Sequence, residues 1–135
     1  MKVVVDTNVL VSGLLSPYGA SAEIVTLVSS GVLILCYDAR ILVEYKEVVA
    51  RPKFQFDQEK ISKLFSFIEV TGEIVAGRPL KVHLSDASDE MFLEVALASR
   101  VSFLITGNIK HFPVNKREGI MVGTPQEFLN YFRKG

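Results

Sequence analysis

Two short hydrophobic runs end in oxygen-bearing side chains. Val3-Val4-Val5 leads into Asp6-Thr7-Asn8, and Phe103-Leu104-Ile105 leads into Thr106-Gly107-Asn108. Such runs read as strands, and in open α/β sheets ligands bind beyond the carboxyl ends of strands. Asp6 and Thr106 are therefore the first candidates, with Asn8 and Asn108 beside them. Asp89 joins them on other grounds. With Phe92, Leu93 and Ala96 it follows the i, i+3, i+4, i+7 spacing of one helical face, so its carboxylate turns inward and needs a partner there. Glu44 lies at the edge of the apolar arc of Ile41, Leu42, Tyr45, Val48 and Val49, with Glu47 pointing further out. Taken alone, Glu44 reads as a solvated helix charge. Carboxylates gathered from separate segments repel one another unless a cation sits among them. Mg²⁺ and Mn²⁺ are hard ions that take oxygen ligands and keep several waters. Such an ion can activate a water for attack on phosphorus and stabilise the departing oxygen. Asp6, Glu44 and Asp89 together would suit metal-dependent hydrolysis of a phosphodiester, with no nucleophilic side chain required.

The remaining polar residues divide between structural and supporting roles. Asp38 stands just before the helix that carries Ile41 and Tyr45 and reads as its N-cap. Asp86 could cap the helix carrying Asp89, as could Ser85, or it could orient a water in the outer shell of a metal site; it ranks below Asp89. Asp89 itself, as a first-turn acid, gains about 0.3–1 kcal/mol from the helix dipole, a role compatible with ligation. Lys46, Arg51 and Lys53 follow Glu44, Arg78 and Lys81 precede Asp86, and Lys110 and His111 follow Asn108. These bases could grip phosphates, although ordinary surface charge is the simpler reading for any one of them. Phosphate contacts carry affinity without sequence information. His111 lies in a loop-like Asn-Ile-Lys-His-Phe-Pro segment and is not needed as a proton shuttle where a metal-activated water attacks.

Five apolar runs, at 3–5, 33–36, 73–75, 103–105 and 120–122, are bounded by Gly, Asp, Ser or Thr and lack clean polar alternation. That is the pattern of strands buried on both faces of a parallel sheet. Between them the periodicity predicts helices at about 8–15, 20–30, 39–51, 57–70, 88–100 and 125–133. Strands alternating with helices of this length specify an α/β fold, because parallel crossovers need a connecting element. Pro and Gly fall at junctions such as Ser16-Pro17-Tyr18-Gly19 and Gly77-Arg78-Pro79. With no internal repeat or low-complexity linker, the expectation is a single domain over 1–135.

The composition fits such a domain. Of 135 residues, 49% are hydrophobic, enough for one real core and too few for two ordinary domains. No apolar stretch approaches the roughly 18 residues of a membrane span. The opening Met1-Lys2-Val3-Val4-Val5-Asp6 lacks the layout of a secretory signal, so a cytoplasmic address is expected. The single cysteine, Cys36, sits in an apolar run and reads as core filler. Fifteen basic and fifteen acidic residues cancel, so any contact with nucleic acid must be local.

Several segments carry a family resemblance when taken in order. They are Asp6-Thr7-Asn8-Val9-Leu10, Ile41-Leu42-Val43-Glu44-Tyr45 continuing to Arg51-Pro52-Lys53-Phe54, Asp86-Ala87-Ser88-Asp89-Glu90-Met91-Phe92-Leu93, and Leu104-Ile105-Thr106-Gly107-Asn108. Their order and spacing, from Met1 to about Thr124, resemble a PIN domain, most closely the small prokaryotic PIN proteins regarded as toxins of toxin–antitoxin pairs. The resemblance implies a three-layer α/β/α fold around a five-stranded parallel sheet of order 3-2-1-4-5. It further implies an acidic pocket at the carboxyl edge and Mg²⁺- or Mn²⁺-dependent cleavage of RNA. Position by position, Asp6, Glu44 and Asp89 match the family's acidic metal-site residues, and Asn8 and Thr106 match polar residues that support the pocket. Asn108 stands where the pattern has a fourth acid. An amide can ligate a metal or hold its water but adds no negative charge. The resemblance also implies a homodimer and an inhibitory antitoxin. Leu14, Leu15, Val25 and Val28 could form a dimer face, although core packing explains them equally well.

Two rivals stand against this reading. A phosphatase of the haloacid dehalogenase type also begins with a strand and an Asp, but it needs a second Asp where this chain has Asn8. A PIN-like RNA- or protein-binding module, with turnover weakened or lost through Asn108, is the stronger alternative.

Overall fold

The computed structural model describes every residue from Met1 to Gly135. Its strands are β1 (Lys2–Val5), β2 (Ile34–Tyr37), β3 (Glu73–Ile74), β4 (Phe103–Ile105) and β5 (Val122–Gly123). They form one parallel sheet in the order β3-β2-β1-β4-β5. The helices are α1 (Thr7–Leu15), α2 (Ala20–Ser29), α3 (Ala39–Val49), α4 (Gln58–Thr71), α5 (Ala87–Ser99) and α6 (Pro125–Lys134). The sheet order and the placement of the helices make the three-layer α/β/α arrangement that the segment order implied. Helix α5 packs across β1, β2 and β4, while α2 packs with α4 and α6. No helix is long and apolar enough to cross a membrane.

Local chemistry explains where the elements start. Asp38 accepts from the Ile41 N–H at 3.0 Å and caps α3. Asp57 does the same for α4, Asp86 for α5, and Thr124 forms a reciprocal capping box with Glu127 at α6. Gly13 is required by packing: a Cβ there would lie 2.5 Å from Val25 Cγ2 and 2.6 Å from the Ser21 carbonyl oxygen, so α1 and α2 could not approach as they do. The core gathers around β1 and β4, whose residues Val3, Val4, Leu104 and Ile105 are fully buried.

Two element boundaries and two burial assignments depart from the sequence-based expectations. Helix α3 ends at Val49 instead of 51, because Pro52 disfavours helical backbone at Arg51 and opens a 3-10 turn, Pro52–Phe54. Strand β5 lies at Val122–Gly123, not 120–122, because the Ile120 N–H is used in a turn to the Arg117 carbonyl. Strand β3 is not buried on both faces: it forms one edge of the sheet, and Ile74 is 64% exposed. Among the apolar residues considered for a dimer face, Val28 is buried in the core and only Leu15 is largely exposed.

Candidate functional site

The sheet reverses its direction of growth at β1, which has β2 on one side and β4 on the other. This switch point opens a crevice beyond the carboxyl ends of the two strands. The β1–β4 register pairs Val5 with Ile105, so Asp6 and Thr106 emerge side by side. The Asp6 N–H continues the ladder to the Ile105 carbonyl at 2.9 Å. Its side chain occupies the N-cap position of α1 yet makes no cap hydrogen bond. Instead Oδ2 accepts from the Thr106 hydroxyl at 2.7 Å. That hydroxyl accepts from the Asn108 N–H at 3.0 Å, which leaves its single proton for Asp6.

Glu44 reaches the same crevice because its neighbour is anchored. The fully buried Tyr45 donates its hydroxyl to the Val5 carbonyl, pinning α3 to the end of β1. One residue earlier on the helix, Glu44 Oε2 accepts from the Thr7 hydroxyl. Asp89, in the first turn of α5, is 8% exposed. His111 Nδ1 lies 2.9 Å from its Oδ2 without the geometry of a directed hydrogen bond, so that buried oxygen has no hydrogen-bond partner.

Asp6, Asn8, Glu44 and Asp89 line one cavity of about 440 Å³, together with Thr7, Arg51 and Phe54 among others. Burial pushes the Asp6 carboxyl up to about 6; the Thr106 hydrogen bond opposes this, while the negative charges of Asp89 and Glu44 add to it. Burial also raises Asp89, against the lowering influence of His111. Acids at the end of a strand and on two helices thus face one another in a partly dry crevice. The ionised forms of Asp6 and Asp89 are disfavoured unless positive charge enters.

The expected convergence on one cation is not realised by the side chains as they stand. As placed, no three His, Cys, Asp or Glu side chains come close enough to hold a metal ion together. The physical reason lies in their separate partners: Thr106 draws Asp6, Thr7 draws Glu44, and His111 draws Asp89. The donor set nevertheless fits a hard divalent cation, because carboxylate oxygens share the cavity and one buried Asp89 oxygen lacks a hydrogen-bond partner.

The other candidates fall outside the cavity lining. Asp86 is exposed and caps α5, accepting from the Ser88 N–H and hydroxyl, which lower its pKa. Asn108 is exposed and lines a neighbouring cavity of about 320 Å³ with Lys110, His111 and Thr124. Thr106 acts through Asp6. Sequence reasoning gave no role to Thr7 or Tyr45. Thr7 was legible as a hydroxyl directly after the strand-end acid, and Tyr45 as a buried phenol that must find an acceptor.

The model of the family described as the PIN domain matches residues 2–110, which hold every acid and amide candidate named above; His111 lies one residue beyond. The match ends before β5, which completes the sheet, and before α6. An uncharacterized protein of Methanocaldococcus jannaschii is 27% identical over an alignment of 146 positions that covers 99% of this chain and 93% of the relative. No solved structure matches.

Proposed function

The chain belongs to the PIN-domain family, whose members are typically metal-dependent nucleases, and from that premise we propose that it is an endoribonuclease dependent on Mg²⁺ or Mn²⁺. The observation that carries the reading is Asp6. It is a buried acid at the sheet's switch point, raised to about 6, in a cavity shared with Glu44 and Asp89. Structural acids are given partners that lower their pKa; this one is kept among other acids.

On this reading Asp6, Glu44 and Asp89 hold the cation. When bound, it supplies an activated water at neutral pH and charge stabilisation for the leaving oxygen. The remaining tasks belong to the chain. Thr106 orients Asp6, Thr7 orients Glu44, and Asn8 presents an amide to the same cavity. His111 lies against Asp89 and limits where its carboxylate can turn. Asp86 and Asn108, outside the cavity, act as outer-shell groups that order water. The same reading makes the protein a cytoplasmic toxin, working as a homodimer and held in check by an antitoxin. These roles rest on the resemblance of the ordered segments to small PIN toxins, and the exposed Leu15 and Tyr18 near the α1–α2 junction offer apolar surface for the dimer.

Purified protein incubated with mixed RNA should cut it in Mn²⁺ or Mg²⁺ and not in chelator, and Asp6→Asn should abolish cutting. Equal cutting by Asp6→Asn would assign the activity to a contaminant. If no RNA is cut under any metal while Asn108→Asp restores cutting, the protein is the PIN-like binding module instead. Light scattering and co-expression with the product of a neighbouring gene test the dimer and the antitoxin.

A further inference from the structure

One wall of the acidic cavity is neither acidic nor part of a helix. It is the turn that follows α3, where Arg51 and Phe54 line the cavity beside Glu44. Arg51 is exposed and pairs with no carboxylate. Its neighbours differ: Arg40 is held by Asp38 and Glu94 at 2.7 and 2.9 Å, and Lys46 lies 3.6 Å from Glu69. A second cavity of about 670 Å³, between α3 and α5, shares Glu44, Val48, Arg51 and Ser88 with the first. The two therefore form a continuous groove with the free guanidinium at their junction.

Phe54 is half-buried, and Phe56 stacks behind it with ring centroids 5.4 Å apart and planes 15° from parallel. Lys53 Nζ lies over the Phe54 ring, 5.0 Å from its centroid, on an exposed side chain that an arriving base would displace. Gln55 between the two rings adopts left-handed backbone at φ +51°, a conformation unfavourable for a residue with a Cβ, and this brings the rings of alternate residues together. An aromatic face braced from behind, with a free arginine and a lysine around it, has the composition of a nucleotide seat: a flat apolar face for a base and fixed positive charge for its phosphate.

We propose that Phe54 is a stacking platform for an unpaired RNA base and that Arg51 grips the adjoining phosphate, so the turn seats one nucleotide beside the acidic cavity. The inference rests on the nuclease reading and adds a substrate feature to it. A base can lie on Phe54 only when it is free of its own helix, so the turn selects unpaired over duplex RNA at that position.

The chain has no tryptophan, so Phe54→Trp introduces a single indole whose emission reports stacking directly. In an Asp6→Asn background, with Mg²⁺ present and no cutting, single-stranded oligoadenylate should quench that emission to saturation. The same strand in a blunt duplex, or inorganic phosphate, should not. Adding Arg51→Ala should require about tenfold more RNA to reach the same final emission. In cleavage assays Phe54→Leu should lose about tenfold to a hundredfold in kcat/KM on single strands, and Phe54→Trp, which keeps a stacking face, should lose far less than Phe54→Leu. RNA that binds by anisotropy without changing the emission overturns the proposal, as does Phe54→Leu cutting like the wild type. In both cases the nuclease reading stands. If the wild type neither binds nor cuts RNA, the nuclease reading fails and this inference fails with it.

Discussion

Asp6 and Asp38 occupy corresponding places in the fold and have opposite environments. Each follows a buried strand, each precedes a helix at its N-cap position, and they are 6% and 7% exposed. Asp38 is fully provided for, with the Ile41 N–H at 3.0 Å and the Arg40 Nε and Nη at 2.8 and 2.7 Å. Asp6 makes no cap, has no cation beside it, and faces two further carboxylates. The difference separates an acid that holds the fold together from one that the fold tolerates. Burial and strand position are common to both, so neither marks function; the partners do.

The sharpest way to break the comparison is to neutralise each acid in turn. Asp6→Asn should lower RNA cleavage by about a thousandfold, several kcal/mol of transition-state stabilisation, as measured by single-turnover kinetics in Mn²⁺. The same substitution should stabilise the metal-free fold. Because burial raises the Asp6 carboxyl from its ordinary 3.8 to about 6, its contribution to stability is full below about 3.8 and lost as pH rises through about 6. In chelator, urea unfolding should therefore find Asp6→Asn more stable than wild type by about 3 kcal/mol at pH 8 and nearly equal to it at pH 4. Affinity for Mn²⁺ should follow the same proton, falling about tenfold per pH unit below about pH 6.

Asp38→Ala should show the reverse pattern. Loss of the cap and of one Arg40 partner should cost about 1–2 kcal/mol of stability, with cleavage per folded molecule unchanged. If Asp38→Ala were to abolish cleavage in a folded protein, the distinction drawn between the two acids would be wrong. The smallest expected effect is at Thr7. Thr7→Val frees Glu44 from its hydroxyl donor and should lower kcat/KM about tenfold, close to 1 kcal/mol, with the melting temperature little changed.

What was legible in the sequence followed from local pattern. The i, i+3, i+4 spacing around Asp89 placed it on the buried face of α5, and the β1 and β4 runs delivered Asp6 and Thr106 to the same edge. What was not legible depended on contacts between distant segments. The Thr7–Glu44 hydrogen bond spans 37 residues and the Thr106–Asp6 bond spans 100, and nothing in either segment names its partner. His111 had little claim as an isolated loop residue until the fold laid it against Asp89. Asp86 could be read as a cap or as a water-orienting group, and the structure shows the cap. The limits of β3 and β5 depended on edge exposure and on a turn hydrogen bond, which hydrophobic patterning does not encode.

The hydrogen bond between Thr106 and Asp6 also sets a timetable. The acid is made 100 residues before its orienting hydroxyl, and β1 gains its neighbour β4 only when that later segment arrives. On a ribosome, itself built of RNA, the emerging polypeptide carries Asp6 long before it carries Asp89 or Thr106. A site drawn from segments this far apart cannot form on the nascent chain until the later segment has emerged.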